Sequence, residues 1–568
     1  MWSRRTPAVV VEPSVPELAA QPADALVSFR EVDFDYGEQP VITGLSMDIQ
    51  VGKVVAVVGP SGSGKTTLLT LLADLHKPTA GAIVWNDELT RSDRHPLSML
   101  FQKDTLLPWL TVADNVGLHF RFSKRKLTRA ERKERITELL ALAGLEGTES
   151  RYPYQLSGGM RRRAAFLASV APRPRMLLLD EPFASVDEPT RVAIHQDIHA
   201  IIKRYAITVV LVTHDIAEAV SLADEVVILT QRPAKIFAKH AVPLGDSRDM
   251  IALREDPVFL ELYGTLWEDL GEQVRGGKKT RQSPAKSIAW KSPKSRPRNG
   301  GRIVKLRVKP KVLLAQALLV LILLAAWQYL PSIESLQGVS HVFDPYFVSS
   351  PSKVAAQLRD LATGSNGSVS IWAYLWPTVF ASVLGTVIGM VAGAAFGLIL
   401  SNWEFSSQVL KPFIIAANAT PRVALVPIVV IVAGTSLTSS VLIAVMVVFF
   451  VAFFNAYEGG STIDPAILAN ARLLGASQAK LLFHIRLPFV LAWTFAGLPL
   501  AITFAVITVV TGELLTGYPG MGSLIATATA TGQATMTWAL TIVLAVVGLV
   551  IVMLADVIRN RTLHWWGK

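Results

Sequence analysis

GPSGSGKT, residues 59–66, decides how the first half of this chain folds. It fits G-x-x-x-x-G-K-[ST] at every fixed position, follows the apolar run VVAVV (54–58) and opens into TTLLTLLADL (66–75). A strand, a glycine-rich turn and a helix in that order form the setting in which this motif holds phosphate. Its glycines let backbone N–H groups close on a β-phosphate, its lysine reaches the β- and γ-phosphates, and the hydroxyl after it can ligate Mg²⁺. Gly59, Ser61, Gly62, Gly64, Lys65, Thr66 and Thr67 are therefore expected to bind a nucleotide's phosphates, with Thr66 also a metal ligand.

Working outward, MLLLD (176–180) and TVVLVTH (208–214) are continuous apolar runs bounded by turn or polar residues. Such runs predict strands buried on both faces of a mostly parallel sheet. Asp180 and Glu181 end the first of them. An acid there can hold Mg²⁺ through water, and a second carboxylate can polarise an attacking water.

The rest of the chain has a different character. Over 568 residues, 51% are hydrophobic and the net charge is +11, with the apolar excess gathered after Lys311. That shift predicts two domains: 28–275 globular, 305–568 membrane-embedded, joined by a basic linker at 276–304. Residues 1–27 read as a disordered Pro/Ala-rich tail, because the apolar patch near the start is too short for a signal peptide. The positive charge could serve nucleic acid, anionic lipid or the flanks of membrane spans, and the last is expected, because the basic runs sit just before an apolar stretch; membrane lipid is an expected partner and nucleic acid is not. Cysteine is absent, which excludes disulfides and thiolate metal sites.

Six spans are expected, at about 312–330, 377–401, 412–434, 438–457, 490–512 and 537–557, each near the ~20 residues a bilayer requires. Lys305, Arg307, Lys309 and Lys311 precede the first, and Arg559, Arg561 and Lys568 follow the last. An even number of spans with positive flanks predicts a multi-pass plasma-membrane protein with both termini cytoplasmic. The segment 458–489, between spans four and five, is then cytoplasmic too.

LSGGMRRR (156–163) is similar to the signature segment of the ATP-binding cassette (ABC) ATPases, and the resemblance covers 28 to about 244. It implies an α/β ATPase domain, with a mostly parallel sheet and a helical subdomain, followed by an all-α six-span permease domain. By the same resemblance Tyr36 stacks on adenine, the alternative being a packed core tyrosine. Gln102 in LFQKDTLLPW (100–109) touches Mg²⁺ or its water and senses the membrane domain. Asp187 in ASVDEPTR (184–191) is the D-loop aspartate, in a loop reading Ala-Ser-Val-Asp where the family has Ser-Ala-Leu-Asp. His214 lies near the γ-phosphate, Glu181 is the base, and Asp180 with Thr66 and Gln102 attends Mg²⁺. Two cassettes would meet head to tail, with ATP between Gly59–Thr66 of one and Ser157, Gly158 and Gly159 of the other.

AILANARLLGASQAKLLFHIRLP (466–488) resembles the coupling loop of ABC importer permeases, with Gly475, Leu487 and Pro488 at the family spacing. Two short helices are expected. Asp464 caps the first, with Pro465 in its first turn, and Gly475 ends it; Ser477 caps the second and Pro488 stops it. The family glutamate aligns with Ala469, so docking is expected to rest on Arg472 and on an apolar face of Ile467, Leu468, Ala471 and Leu474. An amphipathic helix lying on lipid is the alternative. LLPW (106–109), FVSSPSKV (347–354), TPRVALVP (420–427) and GELLTGYPGMG (512–522) resemble the nitrate/sulfonate/taurine branch, which includes importers of thiamine-pyrimidine precursors. That resemblance implies ATP-driven import of a small molecule by a homodimer fed by an external solute-binding protein; an exporter and a regulatory membrane ATPase are the competing readings. Arg422 and Glu513, ionisable groups in apolar surroundings, are open between solute or gate contact and a structural role.

Overall fold

The computed structural model describes residues 24–37, 39–86, 97–123, 127–183, 188–246, 248–276, 310–333, 345–363, 370–420, 422–563 and 565. They form two compact units. One holds the described residues up to 276 together with Asp464–Leu481; the other holds those from 310 to Ile463 and from Leu482 onward.

In the first unit a six-stranded sheet runs β5 (Leu97–Leu100), β6 (Met176–Asp180), β7 (Thr208–Val212), β3 (Val54–Val58), β8 (Glu225–Leu229), β9 (Ile236–Ala241). All pairings are parallel except β8 with β9. The central strands are apolar throughout because both faces are covered. Val54, Ala56 and Val58 of β3 pack into one core cluster, with residues of the helices Gly158–Val170 and Glu188–Tyr205. Val55 and Val57 point the other way, to Leu68, Leu69, Leu71 and Leu72 of the helix Lys65–Leu72. A separate antiparallel sheet of β2 (Gln39–Gln50), β1 (Ala25–Tyr36) and β4 (Ala80–Trp85) packs in the latter cluster. The first strand begins at Ala25, with Ala25, Leu26 and Val27 fully buried, so these three residues belong to the sheet and not to the tail. The rest of the tail that is described is Asp24, and the basic linker lies outside the described residues except for Gly276.

The second unit is helical. Among the described residues, six helices are long and apolar enough to cross a membrane: Leu314–Ser332, Ile371–Asn402, Leu437–Ser461, Gln478–Ala496, Leu498–Thr516 and Ala534–Thr562. The expected span 412–434 is not one helix. Glu404–Ala419 ends ahead of Pro421, a 3₁₀ turn occupies Arg422–Leu425, and Val426–Ala433 follows. The residue before a proline is disfavoured in helical conformation, and Thr420 is extended, with φ −66° and ψ 129°. In exchange, the span expected at 490–512 is divided at Gly497. Gly497 keeps φ −82° and ψ −6°, its N–H bonds to Trp493 O, and its carbonyl accepts from Ala501 N–H. Gly497 thus stays near helical values, and Leu487–Ala496 leads into Leu498–Thr516 without a reversal there.

Ile371–Asn402 and Leu437–Ser461 meet along a seam. A Cβ at Gly385, Gly389, Gly393 or Gly397 would lie 2.4, 2.8, 2.8 or 2.7 Å from Cβ of Ala444, Val448, Ala452 or Ala456, in that order. Glycine recurs every fourth position on the first helix, facing Ala444, Val448, Ala452 and Ala456 of the second, and the missing side chains let the two backbones approach closely.

Glu513 is fully buried, which places it away from any solute-lined surface of this structure. The Thr378 hydroxyl lies 2.8 and 2.9 Å from its two oxygens, and Gly522 N–H donates to it at 2.9 Å. Met521 N–H in turn donates to Thr378 Oγ1. A Cβ at Gly520 would lie 2.2 Å from the Glu513 carboxyl carbon, so the glycine makes room for the acid. Glu513 thus pins the short helix Met521–Ala530 to two spans. Glu513→Ala leaves the Gly522 N–H without its partner, at about 1–3 kcal/mol, while the Thr378 hydroxyl can turn to Tyr374 O, 3.1 Å away. The variant should melt earlier in detergent while Glu513→Gln stays near wild type; equal melting of all three would remove the pin. The side chain of Arg422 lies outside the described residues.

Candidate nucleotide and docking sites

The phosphate loop leaves β3 at Val58 and enters its helix at Lys65, turning through Gly62 (φ +79°) and Gly64 (φ +96°), a region of φ that glycine enters without cost. Lys65 is buried, and its Nζ donates to Gly59 O at 2.8 Å and Pro60 O at 3.0 Å. Burial pulls its pKa down, with Glu181 and Asp180 pulling the other way. Across from it Thr66 Oγ1 and Asp180 Oδ1 stand 3.2 Å apart. Burial pushes the Asp180 carboxyl up to about 6.

Glu181 has φ +42°, in the left-handed region that a non-glycine residue enters only under constraint. Two of the expected site residues face it. Gln102 Nε2 donates to Glu181 Oε2 at 2.8 Å, and His214 Nδ1 lies 3.4 Å from Oε1. The sequence places these three far apart; the parallel strands β5, β6 and β7 end side by side and bring them together. Tyr36 is 53% exposed, which excludes a packed core tyrosine. Its ring meets Phe34 and His76 edge-on and stays available on one side of the small sheet. Asp187 lies outside the described residues.

The signature helix starts at Gly158, capped by Ser157, whose Oγ accepts from Met160 N–H at 3.3 Å. Ser157 and Gly158 are exposed. A Cβ at Gly158 would meet nothing within 4 Å, so packing inside this chain does not require a glycine there.

Glu218 was not singled out from the sequence, although it follows His214 by four positions. It is 4% exposed, accepts from Thr213 Oγ1 at 2.7 Å, and burial pushes its carboxyl up to about 8. Folded chain therefore keeps a proton that unfolded chain releases above its ordinary 4.5. Stability should fall as pH rises across that window and level off above about 8. Glu218→Gln, neutral at every pH, should flatten this slope; an unchanged melting-temperature profile from pH 5 to 8 would refute it.

The segment Asp464–Leu481 belongs to the same compact unit as this site. Asp464 caps Pro465–Leu473 through Ala466 N–H, and Gly475 (φ +90°) ends it. Ala476 N–H returns to Ala471 O and Gly475 N–H to Arg472 O, a Schellman closure. Ser477 caps the next turn, as expected. Pro488 does not stop the second helix: Gln478–Leu481 passes through a π-helical turn at Leu482–Arg486 into Leu487–Ala496. Proline has no N–H to give and its ring crowds the carbonyl four residues back, and a widened turn accommodates both.

Docking differs from expectation in its residues. Arg472 is exposed, and no hydrogen bond or ion pair of its side chain is found among the described residues. Asn470, buried, donates instead to Thr105 Oγ1 at 2.9 Å, and Lys480 Nζ donates to Phe122 O at 2.7 Å. Lys103 pairs with Asp464 at 3.4 Å and His119 Nδ1 contacts Leu474 O at 3.2 Å. Ala471 and Leu474 are buried as expected; Ile467 and Leu468 are half-buried.

A phosphate loop, a strand-end acid pair and an LSGG-capped helix in one unit, with apolar helices in the other, define a membrane protein with a nucleotide-binding cassette. Residues 42–184 match the family described as ABC transporter, and 385–564 match the binding-protein-dependent transport system inner membrane component. YtlC of Bacillus subtilis, an uncharacterised ABC transporter ATP-binding protein, is 35% identical over 40% of this chain and 88% of its own. The aliphatic sulfonates import ATP-binding protein SsuB 1 of Pseudomonas aeruginosa is 39% identical over 40% of this chain and 91% of its own. The sulfate/thiosulfate import ATP-binding protein CysA 1 of Agrobacterium fabrum is 44% identical over 34% of this chain and 57% of its own, so only just over half of that relative is spanned. The chain belongs to the ABC transporter family, with a cassette and an inner-membrane transport component in one polypeptide, and it is a multi-pass membrane transport ATPase that binds ATP.

Proposed function

We propose that two copies of this chain form the transporter, with both termini and the 464–481 segment on the cytoplasmic side of the plasma membrane. Cassettes of this family work as dimers, and the exposed Ser157 and Gly158 support a head-to-tail pairing. In it these residues of each copy close over ATP held by Gly59–Thr67 of the other, with Tyr36 against the adenine and Asp187 at the shared boundary. Thr66 and Asp180, with Gln102 beside them, suit Mg²⁺, which prefers oxygen ligands; bound there, the ion would neutralise charge on the β- and γ-phosphates. Glu181 takes the proton of the attacking water, and His214 holds Glu181 on its other side. Closure of the dimer then moves Asp464–Leu481, and with it the adjoining helices.

The observation that carries this reading is the seating of Asp464–Leu481 in the cassette unit through Asn470, Lys480 and Asp464. Flux is the test. A solute profile of medium and cytoplasm, with and without the gene, should show a small solute left unconsumed outside the deletion strain. The relatives' sulfonates and sulfate, and an external binding protein to deliver them, are the first candidates. A solute accumulating inside the deletion strain would reverse the direction.

A further inference from the structure

The signature helix carries three arginines in a row, Arg161 to Arg163, and the middle one turns inward to 4% exposure. Its guanidinium is shared between two segments. Nε donates to Pro182 O, and Nη2 lies 3.4 Å from Glu181 O. Nη1 lies 3.0 Å from Phe101 O, 3.2 Å from Gln102 O and 3.2 Å from Asp104 Oδ1. Burial works against this charge, and Asp104 is the first group that offsets it. A buried cation is costly unless its donors are met, and here the planar fork is met by residues 101–104 on one side and 181–182 on the other. Lysine, a point charge with three donors, cannot span that set.

We propose that Arg162 is a positioning residue that ties the two ATP sites of the dimer to each other and to the docked helix. It rises from the helix whose N-terminus faces the second copy's ATP. It holds the backbone of Gln102 and Glu181, the pair whose side chains meet at 2.8 Å in this chain's own site. The same loop continues into Lys103 and Thr105, which hold Asp464 and Asn470. Occupancy sensed at Ser157 thereby reaches Glu181 and the permease through one side chain. This rests on the head-to-tail reading above.

The test uses the full chain reconstituted in liposomes, with Arg162→Gln, Arg162→Lys and, as a milder change that leaves the arginine in place, Asp104→Asn. Read-outs are binding of a fluorescent ATP analogue, ATPase rate against ATP concentration, and solute moved per ATP. Analogue affinity should stay within about threefold, because among the described residues no hydrogen bond or ion pair joins Arg162 to the phosphate loop, while turnover falls by roughly tenfold or more and the ATP dependence loses its sigmoid form. Asp104→Asn should shift the same quantities less. Wild-type cooperativity and solute per ATP in Arg162→Gln, or in Asp104→Asn where the arginine variants do not fold, would reduce Arg162 to a packing role. Failure of the dimer reading shows separately: wild type would be non-cooperative in ATP, and Glu181→Gln would not dimerise with ATP.

Discussion

Glu181→Gln is expected to keep ATP binding while hydrolysis falls about 10²–10⁴-fold, the range a positioned general base contributes. Size, shape and hydrogen-bonding oxygen survive the change, so Gln102 keeps a partner; the proton acceptor is lost. The phosphate loop is untouched, and ATP-dependent association should become longer-lived. Import must fall in step with hydrolysis if the two are coupled. Hydrolysis measured on the purified chain, with flux in liposomes, decides it. Flux persisting without hydrolysis would sink either the role of Glu181 or the ATP-driven scheme.

The second large effect is expected at the docking segment. Asn470→Ala leaves the buried Thr105 hydroxyl unpaired, at about 1–3 kcal/mol, and Lys480→Ala removes a charge-assisted bond of about 1.5–3 kcal/mol. The partners named for them, Thr105 and Phe122, are different residues, which favours additive costs. The double variant should hydrolyse ATP within a few-fold of wild type and move at least tenfold less solute per ATP, since loss of about 1.4 kcal/mol is already tenfold. Arg472→Ala should leave both hydrolysis and solute moved per ATP near wild type. A double variant with normal solute per ATP would show that packing at Ala471 and Leu474 carries the coupling alone.

Much of the cassette was legible because its signals are local and redundant. A strand buried on both faces has to be apolar throughout, so VVAVV, MLLLD and TVVLV announce themselves, and the phosphate loop fixes which of them is central. What escaped depends on which way a side chain turns. RRR reads as three surface charges, and nothing in its spacing shows that the middle one is buried. Arg472 and Asn470 differ by two positions, about 200° around a helix; looking for a charge to replace the missing glutamate selected the wrong face. Glu218 is remarkable chemically only once its surroundings are known. In the membrane half, hydropathy averages across breaks. VALVPIVVIVAG and its neighbours are apolar enough to look continuous, and the effect of Pro421 on Thr420 does not change that average.

The glycine seam between Ile371–Asn402 and Leu437–Ser461 has a mechanical corollary. Teeth spaced four residues apart, at about 1.5 Å per residue, can re-engage only after a slip of about 6 Å. Every smaller slide would drive side chains into the facing backbone. The pair therefore behaves as a locked clutch, turning as one lever, and any bending needed to open a path is left to hinges elsewhere. Thr420 before Pro421, and Gly434 with φ +72°, are where the neighbouring chain is already broken.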